Sequence, residues 1–415
     1  MDFTIPEELR AMRDVARKFT NLELIPLEQD VINGELARGA GTSVFDGPVG
    51  EHYLNDPDGV LPYSTYAHLV DRARTMGLWG LDVPEELGGQ NISILGKMMV
   101  HEEIHRSIVP FTLPPDSPNL HWMLAVCTPA QRERWLAPYA RGEISGCLAI
   151  TEPNAGADVS GIETTARRTV GGRWILSGRK MWINRADWSS FMIVLAKTDK
   201  ELGSRGGITA FIVDRQTPGV TIQRRIATMM VERPCEVTYD EVELTDENVL
   251  GTVGWAFPEL QNRFSVRRLE IAMRSLGASE RLLQLLVDQA NMRLTFGEPL
   301  AARQAIQWWV ADATTEIHAT RLMAYNAAWK VDQGARDIRY EASMIKVKAT
   351  ELVARVVDQT MQTYGGLGLA KELPIEYFYR QCRLWRIVEG PSEVHRFVVA
   401  RNRLKDIKPT IDIRQ

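Results

Sequence analysis

Six short stretches of this 415-residue chain carry side chains that do chemistry. In VHEEIHR (100–106), His101, Glu102 and His105 spell H-E-x-x-H. On a helix both imidazoles share one face, and Glu102 stands where a zinc hydrolase keeps its general base. In CLAITEPNAGADVSGIETTA (147–166), Thr151 offers a hydroxyl and NAGAD offers small residues where backbone N–H groups can approach a ligand. A plain turn accounts for that stretch equally well. In GRKMWINRADW (178–188), Trp182 suits the wall of a flat ligand, although a tryptophan in a strand also suits a core. In MRLTFGEPLAARQAIQ (292–307), Arg293 has the rigid donor fork that pairs with phosphate, or is a solvated helix charge. In QTYGGLGLAKELPIEYFYRQCR (362–383), the glycines could cradle a phosphate or simply stop a helix. No Walker or Rossmann context surrounds them. In RIVEGPSEVHR (386–396), Glu389 lies in an apolar approach, before a glycine and a helix start. A carboxylate so placed can be a base, or an ordinary surface group.

The elements that must position these residues fall into three blocks. Residues 1–146 read as an N-terminal helical domain. PEELRAMRDVARKF spaces Leu9, Met12, Val15 and Phe19 helically, STYAHLVDRARTMGLWGL is helical until Gly77, and TPAQRERWLAPYARGE is a further short helix. Residues 45–62, rich in Gly, Pro and Asp, read as a loop. Residues 147–252 read as a β domain built from RWILSGRKMWI, FMIVLAKT, ITAFIVDR, VTIQRR and EVTYDEVEL. Residues 253–415 return to long helices. Ile345, Ala349, Leu352, Val356 and Thr360 trace one face, Gly365 and Gly366 stop that helix, and another opens with Pro391 at its first position and Glu393 in its first turn.

Composition narrows the function class. The chain is 45% hydrophobic with a net charge of −4, from 49 basic and 53 acidic residues, so it lacks the basic footprint of a nucleic-acid binder. No apolar run reaches membrane-spanning length. The start lacks a secretory pattern, and Cys127, Cys147, Cys235 and Cys382 are widely spaced. The expectation is a cytoplasmic protein with reduced thiols.

Taken in order, T-E-P-x-A-G-x-D from Thr151, R-x-x-F-G from Arg293, Q-x-x-G-G-x-G from Gln362 and the Glu389–Gly390 pair resemble the acyl-CoA dehydrogenase family. So does YDEVELTDENVLGTVGWAF, and the resemblance covers nearly the whole chain. It implies a mainly α, mixed fold: an N-terminal helical domain, a central β-barrel-like domain and a C-terminal four-helix bundle. It implies a homo-oligomer, dimer or tetramer, with FAD between the β domain and the bundle and in contact with the next subunit. Leu148, Ile150, Thr151, Gly156 and Ala157, then Trp182, Ile183 and Asn184, match flavin-contacting positions. Arg293, Phe296, Gln304, Gln362, Gly365, Gly366 and Glu393 match positions that hold the rest of FAD, largely in a neighbour. Arg268, Gly390 and Arg401 match substrate positions.

The resemblance further implies that Glu389 takes the α-proton of an acyl-CoA while the β-hydrogen leaves as hydride to flavin N5. The thioester oxygen is met by the backbone N–H of the base and a flavin ribityl hydroxyl. Electrons then pass to an electron-transfer flavoprotein in acyl-CoA catabolism. Ala157 stands where the family often has Ser, Asn184 where Thr or Ser is usual, and Pro391 where Thr is common. Some members carry the base on an earlier helix, where this chain has Arg267, which cannot serve as a base. Alternatives on the same fold are an acyl-CoA oxidase, a non-redox lyase, or a non-catalytic subunit. A zinc hydrolase through His101, Glu102 and His105 is remote, because one short motif stands against several ordered ones. No metal is expected.

Overall fold

A computed structural model describes residues 4–38, 61–115, 118–204, 206–229 and 234–406. The loop read at 45–62 lies mostly outside them. The chain forms two compact units, Met1–Lys97 with Ser107–Arg263, and Met98–Arg106 with Phe264–Gln415. No helix among the described residues is long and apolar enough to cross a membrane.

The first unit opens with helices Glu7–Phe19, Glu28–Arg38 and Tyr63–Thr75. The first buries Leu9, Ala16 and Phe19 and carries acids in its first turn and bases in its last, matching the helix dipole. Pro129 starts a helical run to 140 behind a Thr128–Gln131 capping box.

The β-rich runs follow as β1 (Gly146–Ala149), β2 (Thr165–Arg168), β3 (Trp174–Ile183), β4 (Phe191–Lys197), β5 (Ile208–Asp214), β6 (Val220–Arg225), β7 (Cys235–Leu244) and β8 (Val249–Leu250). They make one sheet in the order β6-β7-β3-β2-β4-β5-β8, with β1 parallel to β4. Strand β4 is buried along FMIVLA, which explains its lack of polar alternation. Alternate residues Met192, Val194 and Ala196 enter one core with Leu176, Phe211, Val213, Val237 and Tyr239. The very short strands β1, β2 and β8 were not legible, because two to four residues carry too little period to read.

The second unit is helical: Gln261–Met292, Gln304–Asp332, Arg339–Tyr364, Ile375–Trp385 and Ser392–Asp406. The Arg339–Tyr364 helix packs against the Gln304–Asp332, Ile375–Trp385 and Ser392–Asp406 helices. It also reaches Gln261–Met292, through Thr360 Oγ1 to the Leu282 carbonyl at 3.1 Å and the Tyr364 hydroxyl to the Leu285 carbonyl at 3.1 Å. Ile345, Ala349, Leu352, Val356 and Thr360 are all buried, as their spacing requires. Gly277 has no substitute, because a Cβ there would lie 2.1 Å from the Glu102 carbonyl oxygen.

All four cysteines are buried free thiols. Burial pushes Cys127 and Cys147 up to about 12, and raises Cys235 and Cys382 as well.

One buried ion pair fixes the T-E-P-N-A-G-A-D stretch to the sheet. Lys180 on β3, fully buried, donates to Glu152 Oε1 at 2.7 Å and to the Ile150 carbonyl at 2.9 Å. Burial lowers Lys180 to about 8 against the pull of Glu152. Burial alone would raise Glu152, but the ammonium and the donors around it hold it below the usual carboxylate range. Glu152 also accepts the N–H groups of Glu163 and Thr164. Lys180→Met would leave that carboxylate buried with no counter-charge. Denaturant unfolding should show a loss of about 3–5 kcal/mol, partly recovered in the Lys180→Met/Glu152→Leu double variant.

Candidate active site

Residues 151–158 form the turn that their composition allowed. Glu152 and Ala155 exchange backbone hydrogen bonds of 3.0 and 3.2 Å across Pro153–Asn154. The turn is held to β3 by the Met181 N–H on the Thr151 carbonyl at 2.8 Å. Strand β3 carries a bulge here, since its register against β7 shifts between Lys180 and Ile183. The bulge places Trp182 at φ +63° with half its surface exposed, not in the core. Asn184 is exposed too. Ile183 points the other way, into the sheet core, so only its backbone is available to a ligand. Leu148, Ile150 and Thr151 are half-buried, while Gly156 and Ala157 are exposed.

In the second unit, Leu294–Thr295 and Glu298–Pro299 form a hairpin closed by Phe296 and Gly297. Both closing residues have positive φ, +53° and +82°, as a type I′ turn requires. A phenylalanine there is strained, and Phe296 is 99% exposed, with the Arg303 guanidinium 6.0 Å from its ring. Arg293, Gln304, Gln362, Gly365 and Gly366 are exposed as well, and Gly365 ends its helix at φ +62°. The Arg293 guanidinium makes no hydrogen bond or ion pair among the described residues.

Each unit by itself carries a set of groups able to meet a ligand. The first unit offers an aromatic wall on a bulge, an exposed amide and a tight turn of small residues. The second offers a guanidinium, two side-chain amides, a glycine pair whose Cβ positions meet open space, and a strained aromatic held in water.

Glu389 lies between the Ile375–Trp385 and Ser392–Asp406 helices, at φ +54°, followed by Gly390 at φ +97°. Two successive left-handed residues turn their carbonyls inward, where three side chains meet them. Arg268 Nε donates to the Glu389 carbonyl at 3.3 Å, and His395 Nε2 to the same oxygen at 3.1 Å. Lys346 Nζ donates to the Gly390 carbonyl at 2.6 Å. His395 must carry its proton on Nε2 to do so, and its Nδ1 then accepts from Ser343 Oγ at 3.1 Å. Burial, together with the charges of Arg268 and Lys346, pushes His395 down to about 3, so the ring is neutral. Burial lowers Lys346 to about 8, with Arg268 adding to the effect and Glu389 and Glu393 opposing it. A Cβ on Gly390 would sit 3.0 Å from His395 Nε2. Arg267 Nε lies 4.0 Å from Glu389 Oε1.

Sequence reasoning passed over Lys346 and His395. The signal for Lys346 was available: Ala342, Ile345, Lys346 and Ala349 share one helical face, so the lysine sits on a buried stripe at 1% exposure. Pro391 precedes the last helix instead of opening it, its carbonyl accepting the His395 N–H at 3.2 Å. Glu393 is in the first turn and exposed. Arg401 lies roughly 13 Å further along that helix from Ser392, over the Phe397 ring.

H-E-x-x-H is engaged in packing. Glu102 is buried and accepts from Arg321 Nε at 2.7 Å and the Tyr325 hydroxyl at 3.1 Å. The His101 and His105 rings stack with centroids 5.6 Å apart, and His105 Nδ1 faces the His101 carbonyl at 2.8 Å. Burial keeps His105 far below its ordinary value. Among the described residues no three His, Cys, Asp or Glu side chains converge as a metal site.

Three family models match the chain: the acyl-CoA dehydrogenase N-terminal domain over 58–143, its middle domain over 147–242 and its C-terminal domain over 254–404. The chain is 43% identical to the (R)-benzylsuccinyl-CoA dehydrogenase of Thauera aromatica, over 98% of each chain. It is 33% identical to the caffeyl-CoA reductase–Etf complex subunit CarC of Acetobacterium woodii, over 81% of this chain and 89% of that one. Its fold matches butyryl-CoA dehydrogenase from Megasphaera elsdenii with a TM-score of 0.82 at 28% identity, covering 97% of this chain and 100% of that one.

The neutral His395 makes stability depend on pH. Unfolded, it takes a proton below its ordinary value of 6.5; folded, only below about 3. The unfolded state therefore binds more protons within that window, and stability falls as pH drops through it. Calorimetric unfolding should lose about 1–3 kcal/mol between pH 6 and pH 4 from this residue, and His395→Gln should remove that part of the slope.

Proposed function

This chain belongs to the acyl-CoA dehydrogenase family, and on that premise we propose that it removes the α-proton of an acyl-CoA thioester with Glu389 to give the 2-enoyl-CoA. The observation that carries the assignment is the left-handed Glu389–Gly390 pair, whose carbonyls are held by Arg268, Lys346 and His395. Strain of this kind persists where the surroundings over-determine it, and it is characteristic of functional positions.

FAD is the cofactor we assign. Leu148, Ile150, Thr151, Gly156, Ala157, Trp182, Ile183 and Asn184 of the first unit would contact the flavin, Ile183 through its backbone. Arg293, Phe296, Gln304, Gln362, Gly365 and Gly366 of the second would hold the pyrophosphate and adenosine of a neighbouring copy's cofactor. Bound FAD supplies a two-electron acceptor for the β-hydrogen, which leaves as hydride. The protein supplies the rest. The Glu389 carboxylate receives the α-proton, and its backbone N–H donates to the thioester oxygen as negative charge develops there. Arg268 and His395 fix the Glu389 peptide, so the donor and the base move as one piece. Glu393, whose charge acts on Lys346 beside Glu389, would contact the cofactor, and Arg401 the substrate. Transfer of electrons to an electron-transfer flavoprotein is supported by the relative named as part of an Etf complex. An acyl-CoA oxidase is the competing reading, and steady oxygen uptake in place of Etf reduction would favour it.

Glu389→Gln keeps the shape of the base and removes its proton affinity. With a panel containing butyryl-CoA and (R)-benzylsuccinyl-CoA, rapid-mixing absorbance should show flavin bleaching slowed by at least about 10²–10⁴-fold, with the thioester still bound. Bleaching at the wild-type rate would place the base elsewhere. Arg293→Ala should lower retained FAD and oligomer mass together, at a cost of about 2–5 kcal/mol. Sedimentation and flavin absorbance measure both, and unchanged values would make Arg293 a surface charge only.

A further inference from the structure

Arg267 stands beside the candidate base and has no part in the proton abstraction proposed above. Its Nη1 donates to Glu270 Oε2 at 2.6 Å, and its Nε faces Glu389 Oε1 at 4.0 Å. Its side chain is 24% exposed, while Glu270 is buried. Arg268 and Lys346 already supply two cations that fix the Glu389–Gly390 carbonyls. Arg267 is a third cation, and it faces the carboxylate itself, not the backbone.

For a plain alkyl thioester this neighbour is counterproductive. A guanidinium beside a carboxylate favours its charged form and so opposes its taking a proton. Once Glu389 is protonated, Arg267 keeps Glu270 but loses the charge of the second carboxylate that faces it. Both problems disappear if the substrate brings an anion of its own. The guanidinium has five N–H donors in a rigid plane, enough to hold Glu270 and a second carboxylate together.

We propose that Arg267 recognises a carboxylate carried by the acyl group, so that the substrate class is the CoA monothioester of a short dicarboxylic acid. The substrate carboxylate replaces Glu389 as the second anionic partner of Arg267, and Glu389 is released to take the α-proton. The inference rests on the reading of Glu389 as the base. It makes Arg267 a specificity residue that acts only on substrates with a second charge.

The test uses the flavin-loaded enzyme with glutaryl-CoA and (R)-benzylsuccinyl-CoA, the monoamide of each, in which the free carboxylate becomes a neutral carboxamide, and butyryl-CoA. Flavin bleaching gives kcat/KM, and titration calorimetry gives affinity without turnover. The wild-type protein should prefer at least one diacid thioester over its amide by at least about 30-fold, or about 2 kcal/mol, in both measurements. Arg267→Met should bring that ratio towards one, and Arg267→Lys should restore part of it, which separates charge recognition from a structural role beside Glu270. The wild-type ratio needs no variant, so a misfolded mutant does not obscure the outcome. Bleaching by butyryl-CoA with no carboxylate preference would overturn this inference and leave the base assignment standing. A preference that survives Arg267→Met in a folded protein would overturn it too. If no thioester bleaches the flavin, the base assignment falls and this inference with it.

Discussion

Two backbone carbonyls, those of Glu389 and Gly390, are the point on which the second unit is organised. Holding a glutamate at φ +54° costs about 1–3 kcal/mol, so the conformation survives only because other groups enforce it. Arg268 comes from the Gln261–Met292 helix, Lys346 from Arg339–Tyr364 and His395 from Ser392–Asp406. Three helices therefore have to pack correctly before the carboxylate is aimed. Lys346 and His395 are also polar groups at about 1% exposure, and each is tolerable only because a carbonyl or hydroxyl accepts from it or donates to it. Packing and placement of the proposed base are thus one problem with one solution.

The same device recurs at the other candidate positions. Six non-glycine residues among those described have positive φ, and Trp182, Phe296 and Glu389 are three of them. Each is displayed by a different construction: a β-bulge, a type I′ hairpin, and a pair of left-handed residues before a helix. Half of these strained positions carry side chains assigned to cofactor and chemistry. The sheet core and the buried face of the Arg339–Tyr364 helix are ordinary close-packed apolar layers.

Much of this architecture was legible in the residues. The strands β3 to β7 announce themselves by β-branched runs between turn residues, and the long helices by a buried stripe at helical spacing. Trp182 and Glu389 could be singled out, but taken alone a strand tryptophan is more often core and such a glutamate more often a surface group, and only φ and exposure separate the readings. What stayed hidden depends on distant partners. The Lys180–Glu152 pair joins residues 28 apart in sequence, and His395 finds Ser343 across 52. H-E-x-x-H misleads for the same reason: its helical spacing is real, but Arg321 and Tyr325, more than two hundred residues on, decide what Glu102 does.

The buried thiols give the molecule a chemical clock. A thiol reacts through its thiolate, and burial that holds Cys127 and Cys147 near 12 leaves almost none at neutral pH. The folded chain is therefore silent to alkylating agents and mild oxidants, and modification has to wait for an opening event. Cys127, Cys147 and Cys235 lie in the first unit and Cys382 alone in the second. Which cysteine is modified first thus records which unit opened, and the rate of modification records how often.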